Sequence, residues 1–410
     1  MPRHPTFAPL VLVLTVWVGA GAGEATMLAS ATPEQRKLYD EAKALILKGA
    51  QSPPKTLTES KEDYFWLWDA KLRPLAYGYE YAHDVAFIEA FVPLMESIIS
   101  QRFIHPTKPE WNGWWHYQES EKGTLALVDH DAILYFVPVL NFVRAVRGDP
   151  QLQVTYSAKA EAWLKDVEVS IRAWDKRGCW HDIDDQTGWY GNITEYPDKA
   201  GNIIKNPTIF SGGTVPYNKV SALYEALALA YRVTGDNWYK VRMEKSAKFW
   251  RDHWRSDDKH IEWNYRDHFL PTDYKSGVVG QGETLTGAFI HPHSGYYSID
   301  VTASVYLYDI GIAFTRPDME RFINTHLNFM WRQDMPPTFK NVNGTDGKNK
   351  DGYLWVKLAH FDPKIRELWK AQLDKPKRHW TWHTSVIEYL IEVSQPISWE
   401  PRFVNEVRKK

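Results

Sequence analysis

Three short stretches constrain this chain more than anything else in it: Arg147-Gly-Asp-Pro150, Thr234-Gly-Asp-Asn237 and Thr315-Arg-Pro-Asp318. Each stands between two long segments of apolar periodicity. A Gly or Pro stops one helix and an Asp or Asn caps the next, so each stretch joins two helices by a tight turn. The joined segments are 131–147 with 158–174, 220–234 with 238–254, and 301–314 with 319–331. In 220–234 the residues Leu223, Ala226, Leu227, Ala230 and Tyr231 recur at i, i+3, i+4, i+7 and i+8, one face of a helix. Further helices are predicted over 33–48, 77–101 and 381–393. The sequence shows no run of alternating strands and no Gly-rich phosphate loop, which sets aside Rossmann and P-loop folds.

Hairpins spaced by roughly 60–90 residues of variable loop are too irregular for a solenoid repeat. They predict an all-α fold, an (α/α) toroid or barrel of about six to seven helical hairpins. Inner helices would line a funnel, and long loops at one rim would build a site. An open helical superhelix that binds protein is the alternative. Loops rich in Trp, His, Asn and Gly favour the toroid, because such loops carry function.

Composition narrows the function. With 44% apolar and 24% charged residues among 410, wholesale disorder is excluded. Lys plus Arg (49) nearly balances Asp plus Glu (51), which argues against a nucleic-acid partner. The single Cys179 excludes an intrachain disulfide and a Cys-based zinc cluster. At the N-terminus, Arg3 and His4 precede an apolar run over 7–18 and then Ala20-Gly21-Ala22, the layout of a secretory signal peptide. Residues 1–22 are predicted to be that peptide, 23–59 a leader and linker, and 60–410 the toroid domain. A secreted or periplasmic protein with no membrane segment after processing is expected.

The 20 Trp, 22 Tyr and 17 Phe suit sugar stacking or a large helical core. Their placement beside polar clusters points to candidate site residues. Trp114 and Trp115 stand in Trp111-Asn-Gly-Trp-Trp-His-Tyr117. His130 stands in Val128-Asp-His-Asp131, where Asp131 is the expected N-cap. Asn218 and Lys219 open the helix after Gly213-Thr-Val-Pro-Tyr217, and Asn218 either binds a carboxylate or caps that helix. Trp263 and Arg266 lie in Glu262-Trp-Asn-Tyr-Arg-Asp-His268, where Arg266 could clamp a carboxylate through its planar fork. The densest block is His291-Pro-His-Ser-Gly-Tyr-Tyr-Ser-Ile-Asp300, with His291, His293, Tyr296 and Tyr297. Its His-x-His pair would need a third ligand to hold zinc, so proton transfer is expected there and no metal. Tyr353 follows a polar, Gly-punctuated loop and could reach into the funnel as a proton donor.

The order of Trp114-Trp115, Val128 to Asp131, Val215-Pro-Tyr-Asn218, the His291 to Asp300 block and Gly352-Tyr-Leu-Trp355 resembles the α/α-toroid polysaccharide lyases. It is most similar to polysaccharide lyase family thirty-eight, over about 63–393. The resemblance implies cleavage of glucuronan or alginate by β-elimination, with a His and a Tyr as base and acid. The Tyr would be Tyr353, or Tyr296 and Tyr297; the His would be His291 or His293. Asn218, Lys219, Arg266 or a protonated His would neutralise the uronate, so that enolate charge can build up. That chemistry implies an acidic polysaccharide as partner and no cofactor.

Other readings remain open on the sequence. An inverting glycoside hydrolase on the same toroid would need two carboxyl groups, for which Asp129, Asp131, Glu262, Asp267, Glu283 and Asp300 are available. A uronate C5-epimerase would share the proton abstraction. A glycan-binding scaffold would keep the Trp loops without the His and Tyr block.

Overall fold

The computed structural model describes residues 26–51, 63–115, 131–198, 200–206, 213–257, 259–265, 295–346, 354–374 and 382–404. Eleven α-helices stand among them: α1 Pro33–Ala50, α2 Asp63–Ala82, α3 Val85–Ser100, α4 Val137–Gly148, α5 Pro150–Lys176, α6 Tyr217–Thr234, α7 Asn237–Asp252, α8 Gly295–Asp309, α9 Arg316–Asn324, α10 Pro363–Leu373 and α11 Trp382–Val393. A π turn, Ala132–Phe136, leads into α4, and a 3-10 turn, Val356–His360, precedes α10.

Packing arranges these elements as an α/α toroid. The inner ring is α2, α4, α6, α8, the 3-10 turn and α11; each packs on the next, and α11 packs on α2 to close it. Outside them lie α3, α5, α7, α9, α10 and α1, each against its own inner partner. That makes six hairpins among the described residues, within the expected six to seven. No described helix is long and apolar enough to cross a membrane.

The two rims differ because the sequence treats the two helix ends differently. Inner helices pass to outer ones through short turns at one rim, where side chains cap the outer helix. Asp84 accepts from the Ala86 N–H, Asp149 from Gln151, Asp236 from Trp238 and Asp362 from Lys364. Gly235 ends α6 in the left-handed region (φ 74°), where its N–H donates to the Tyr231 carbonyl; only glycine enters that region at little cost. At the opposite rim, the longer connections return to the inner helices. They carry three two-stranded antiparallel hairpins: β1 (Trp180–Asp182) with β2 (Gly188–Tyr190), β3 (Glu195–Pro197) with β4 (Ile203–Lys205), and β5 (Arg255–Ser256) with β6 (Ile261–Glu262).

Two local expectations change. The predicted helix over 77–101 is two helices, because His83 adopts φ 50° between α2 and α3 and Asp84 caps the second. Asp131 stands at the expected N-cap position without a capping bond, and Asn218 is not a cap. The Asp131 carboxylate accepts from the Trp174 indole at 3.0 Å and lies 3.8 Å from Arg177. Asn218 sits inside α6, whose N-cap position is Pro216.

Candidate active site in the toroid bore

Inner helices place one polar column each along the toroid axis. On α2, Asp69, Arg73 and Tyr77 recur every four residues and so share one face. On α6, Asn218, Ser221 and Glu225 fall at i, i+3 and i+7; on α11, Glu388 and Glu392 are one turn apart. These columns meet. Arg73 reaches across from α2 to Glu225 on α6, with Nη1 at 2.9 and 3.1 Å from its two oxygens, while Nε donates to Asp69 at 3.1 and 3.2 Å. The Tyr77 and Tyr306 hydroxyls meet at 2.9 Å, and Arg73 also donates to Tyr77 at 3.0 Å. Lys357, on the 3-10 turn, stands 3.8 Å from Glu388 and 3.5 Å from Glu392.

At the short-turn end, side chains of the described residues close the bore. Its floor is sealed by the segment after α11: Arg402 donates to Asp309 at 2.5 and 2.8 Å and to Glu392 at 3.1 Å. Beside Arg402 lies a polar cavity of about 50 Å³ whose lining also includes Tyr77, Glu225, Tyr306 and Lys357. A larger cavity, about 520 Å³, opens on the short-turn rim and is lined by Arg144, Arg147 and Arg232 among others. Arg147 there donates to the Val233 carbonyl at 2.9 Å, so it satisfies the end of α6.

Burial tunes the carboxyl groups in the bore. Burial lifts the Glu388 carboxyl above the ordinary range, opposed by Lys357 and Arg73 and reinforced by Glu225 and Glu392. Burial likewise lifts Asp69 against the pull of Arg73. For Glu392, burial acts upward, but Lys357 and Arg402 outweigh it and hold the carboxyl below its usual range. Burial would discharge Arg73, yet Asp69 and Glu225 keep it firmly cationic. Asp69 and Glu388 stay partly open, with 15% and 16% of their side chains exposed.

At the rim, Asp300 ties three elements together. Ser221 on α6 and the Trp263 indole after β6 each donate to it at 2.8 Å. Burial, opposed by those two donors, pushes its carboxyl up to about 7. One turn before Ser221, Asn218 is buried and its Oδ1 has no partner among the described residues.

The residues expected from sequence divide three ways. His130, Arg266, His291, His293 and Tyr353 lie outside the described residues, as do Asp129, Asp267 and Glu283. Asn218, Lys219, Trp263, Tyr296 and Tyr297 do come together where α6 and α8 begin. Trp114 and Trp115 stand apart from them and are buried as packing. Their indoles donate to the Ile98 and Trp111 carbonyls at 2.9 Å, and the guanidinium groups of Arg102 and Arg177 lie over their rings. Trp263 and Tyr297 are fully buried too, ring against ring. Trp114, Trp115 and Trp263, expected as sugar-stacking surfaces, thus pack in the core, and Tyr297 packs there with them. The partly exposed pair is Tyr296 on Tyr265, 5.5 Å apart and stacked at 26°. Glu262 pairs with Arg255 at 3.1 Å. No motif in the sequence marks the bore carboxyls Asp69, Glu225 and Glu388; the four-residue recurrence of charge on α2 and α11 signals Asp69 and Glu388 alone. No group of three His, Cys, Asp or Glu among the described residues stands as a metal site.

No family model matches the chain, and no curated protein does. Solved structures similar to it include an alpha-1,6-mannanase variant from Salegentibacter sp. in complex with alpha-1,6-mannotriose. That one is 12% identical, covers 87% of this chain and 100% of its own, and has a TM-score of 0.47. A second variant, with alpha-1,6-mannotetrose, is 11% identical over 87% of this chain and 98% of its own, at 0.48. A glycoside hydrolase family 76 mannosidase from Bacteroides thetaiotaomicron is 9% identical over 87% of this chain and 86% of its own, at 0.42. These are glycoside hydrolases. The names of these structures describe mannanases and a mannosidase, not polysaccharide lyases, so the expectation of a lyase acting on alginate or glucuronan by β-elimination is withdrawn.

Proposed function

We propose that the chain is a glycoside hydrolase that takes a polysaccharide at the loop-bearing rim and cleaves a glycosidic bond in the bore. One observation carries this reading: Asp69 and Glu388 stand on neighbouring inner helices above a closed floor, both half-buried. Glycoside hydrolysis needs two carboxyl groups in different protonation states. Burial lifts Glu388 and so favours its protonated form, the form that gives a proton to the departing glycosidic oxygen. Asp69 accepts two bonds from the Arg73 guanidinium, which favours its carboxylate form. As a carboxylate it takes the proton from the attacking water, the inverting course. Two lifted carboxyl groups suit this work, because acid–base catalysis is most efficient with pKa values near the working pH. The stacked Tyr265 and Tyr296 offer an aromatic face for a sugar ring at the rim.

The test is a panel of polysaccharides. An α-1,6-linked mannan heads it, since two of the similar toroids hold its oligosaccharides; neutral glucans and polyuronates follow. New reducing ends without the ultraviolet absorbance of an unsaturated product are expected. Unsaturated product, or glycan binding with no cleavage, would overturn the reading.

A further inference from the structure

We infer that Lys357 is a positioning residue of this acid–base pair: its ammonium, shared between Glu388 and Glu392, decides whether Glu388 holds its proton. The inference rests on the reading of Glu388 as the acid. Lys357 is buried, with the rings of Tyr77 and Tyr306 at 5.4 and 5.8 Å from its nitrogen. Its Nζ stands 3.8 Å from Glu388 and 3.5 Å from Glu392, two carboxyl groups on successive turns of α11. The two are not equally dependent on it. Glu392 also has Arg402, at 3.1 Å. Among the described residues Glu388 has no second ion-pair partner. The remaining groups facing it are Arg73 and Tyr77 from α2, Glu225 from α6 and Glu392 from its own helix. Two of those are carboxyl groups. Without Lys357, Glu388 would face them with Arg73 as the one cation in range among the described residues, and would hold its proton more tightly.

A cation within about 4–6 Å lowers a carboxyl pKa by roughly 1–3 units, so its removal raises it. In Lys357→Met the titration of Glu388 should move up by about one pH unit or more. The reading is carboxyl-carbon NMR on glutamate-labelled protein, with Glu388→Gln assigning the signal. The alkaline limb of kcat/KM should shift upward by the same amount, and Lys357→Arg should bring it back. A merely structural lysine would lower activity at every pH and leave the limb in place. Lys357→Gln is the second variant should the methionine form fail to fold. An unmoved Glu388 titration in either folded variant overturns the inference. Wild-type protein that cleaves no glycan would overturn the hydrolase reading instead, and the titration would still be readable.

Discussion

The hydroxyl of Tyr77 meets that of Tyr306 at 2.9 Å, across the toroid from α2 to α8. These helices are three places apart in a ring of six, so the contact spans the bore itself. A barrel of this kind is not filled with aliphatic side chains at its axis. Arg73, Glu225, Lys357 and the two tyrosines fill it, and each polar atom must find its partner on another helix.

The two tyrosines are not equivalent. Tyr77 also accepts from Arg73 at 3.0 Å, so its loss leaves two buried groups short rather than one. Tyr77→Phe should cost about 2 kcal/mol and Tyr306→Phe about 1 kcal/mol, measured by urea unfolding. Equal costs would mean that Arg73 finds another acceptor.

For the acid–base pair, Glu388→Gln and Asp69→Asn should each lower kcat by about 100- to 10,000-fold, with the far-ultraviolet circular dichroism unchanged. Arg73→Lys should also be damaging. Lysine offers no planar fork to hold Asp69 and Glu225 together. Near-wild-type turnover in both carboxyl variants would move the chemistry out of the bore.

Asp300 makes stability depend on pH. Its folded carboxyl is pushed up to about 7 by burial, against about 3.9 in an unfolded chain. Between those values the folded protein binds a proton that the unfolded chain has released. Its contribution is therefore complete below about pH 4 and lost as pH rises through about 7, with a ceiling on the order of 4 kcal/mol. Urea unfolding across this range should show that slope, and Asp300→Asn should flatten it. An identical slope in the variant would place the dependence elsewhere.

Some of this was legible in the sequence and some was not, for physical reasons. The turn at Gly235-Asp236 announces itself, since a glycine stop and an aspartate cap are local chemistry. The break between α2 and α3 does not, because His83 takes up the left-handed conformation without a Gly or Pro to mark it. Trp114 and Trp115 read as stacking surfaces because they stand in a polar loop; only packing shows that Arg102 and Arg177 cover them. Asp69 and Glu388 look like ordinary helical surface charges. Which face of a helix is the bore depends on ring closure, and closure depends on α11 meeting α2 from the other end of the chain.

The same closure makes Arg402 the most consequential single side chain of the C-terminal segment. Asp309 is wholly buried and Glu392 nearly so, and they lie on different inner elements. Arg402 joins both, with three bonds of 2.5, 2.8 and 3.1 Å among its contacts. Burial opposes its charge, yet Glu392 and Asp309 more than compensate and keep the guanidinium protonated. Breaking a buried pair by deleting one partner costs about 3–5 kcal/mol, because the other charge is stranded away from water. Arg402→Ala should fall in that range by thermal or urea unfolding. Replacing all three with Arg402→Met, Asp309→Asn and Glu392→Gln should recover part of the loss, since the charges of the Arg402 cluster are gone and Lys357 is left, among the described residues, with Glu388 alone. If the triple variant were as unstable as the single one, the segment would owe its hold to packing, with Trp399 on Phe361 at 5.0 Å as the leading contact.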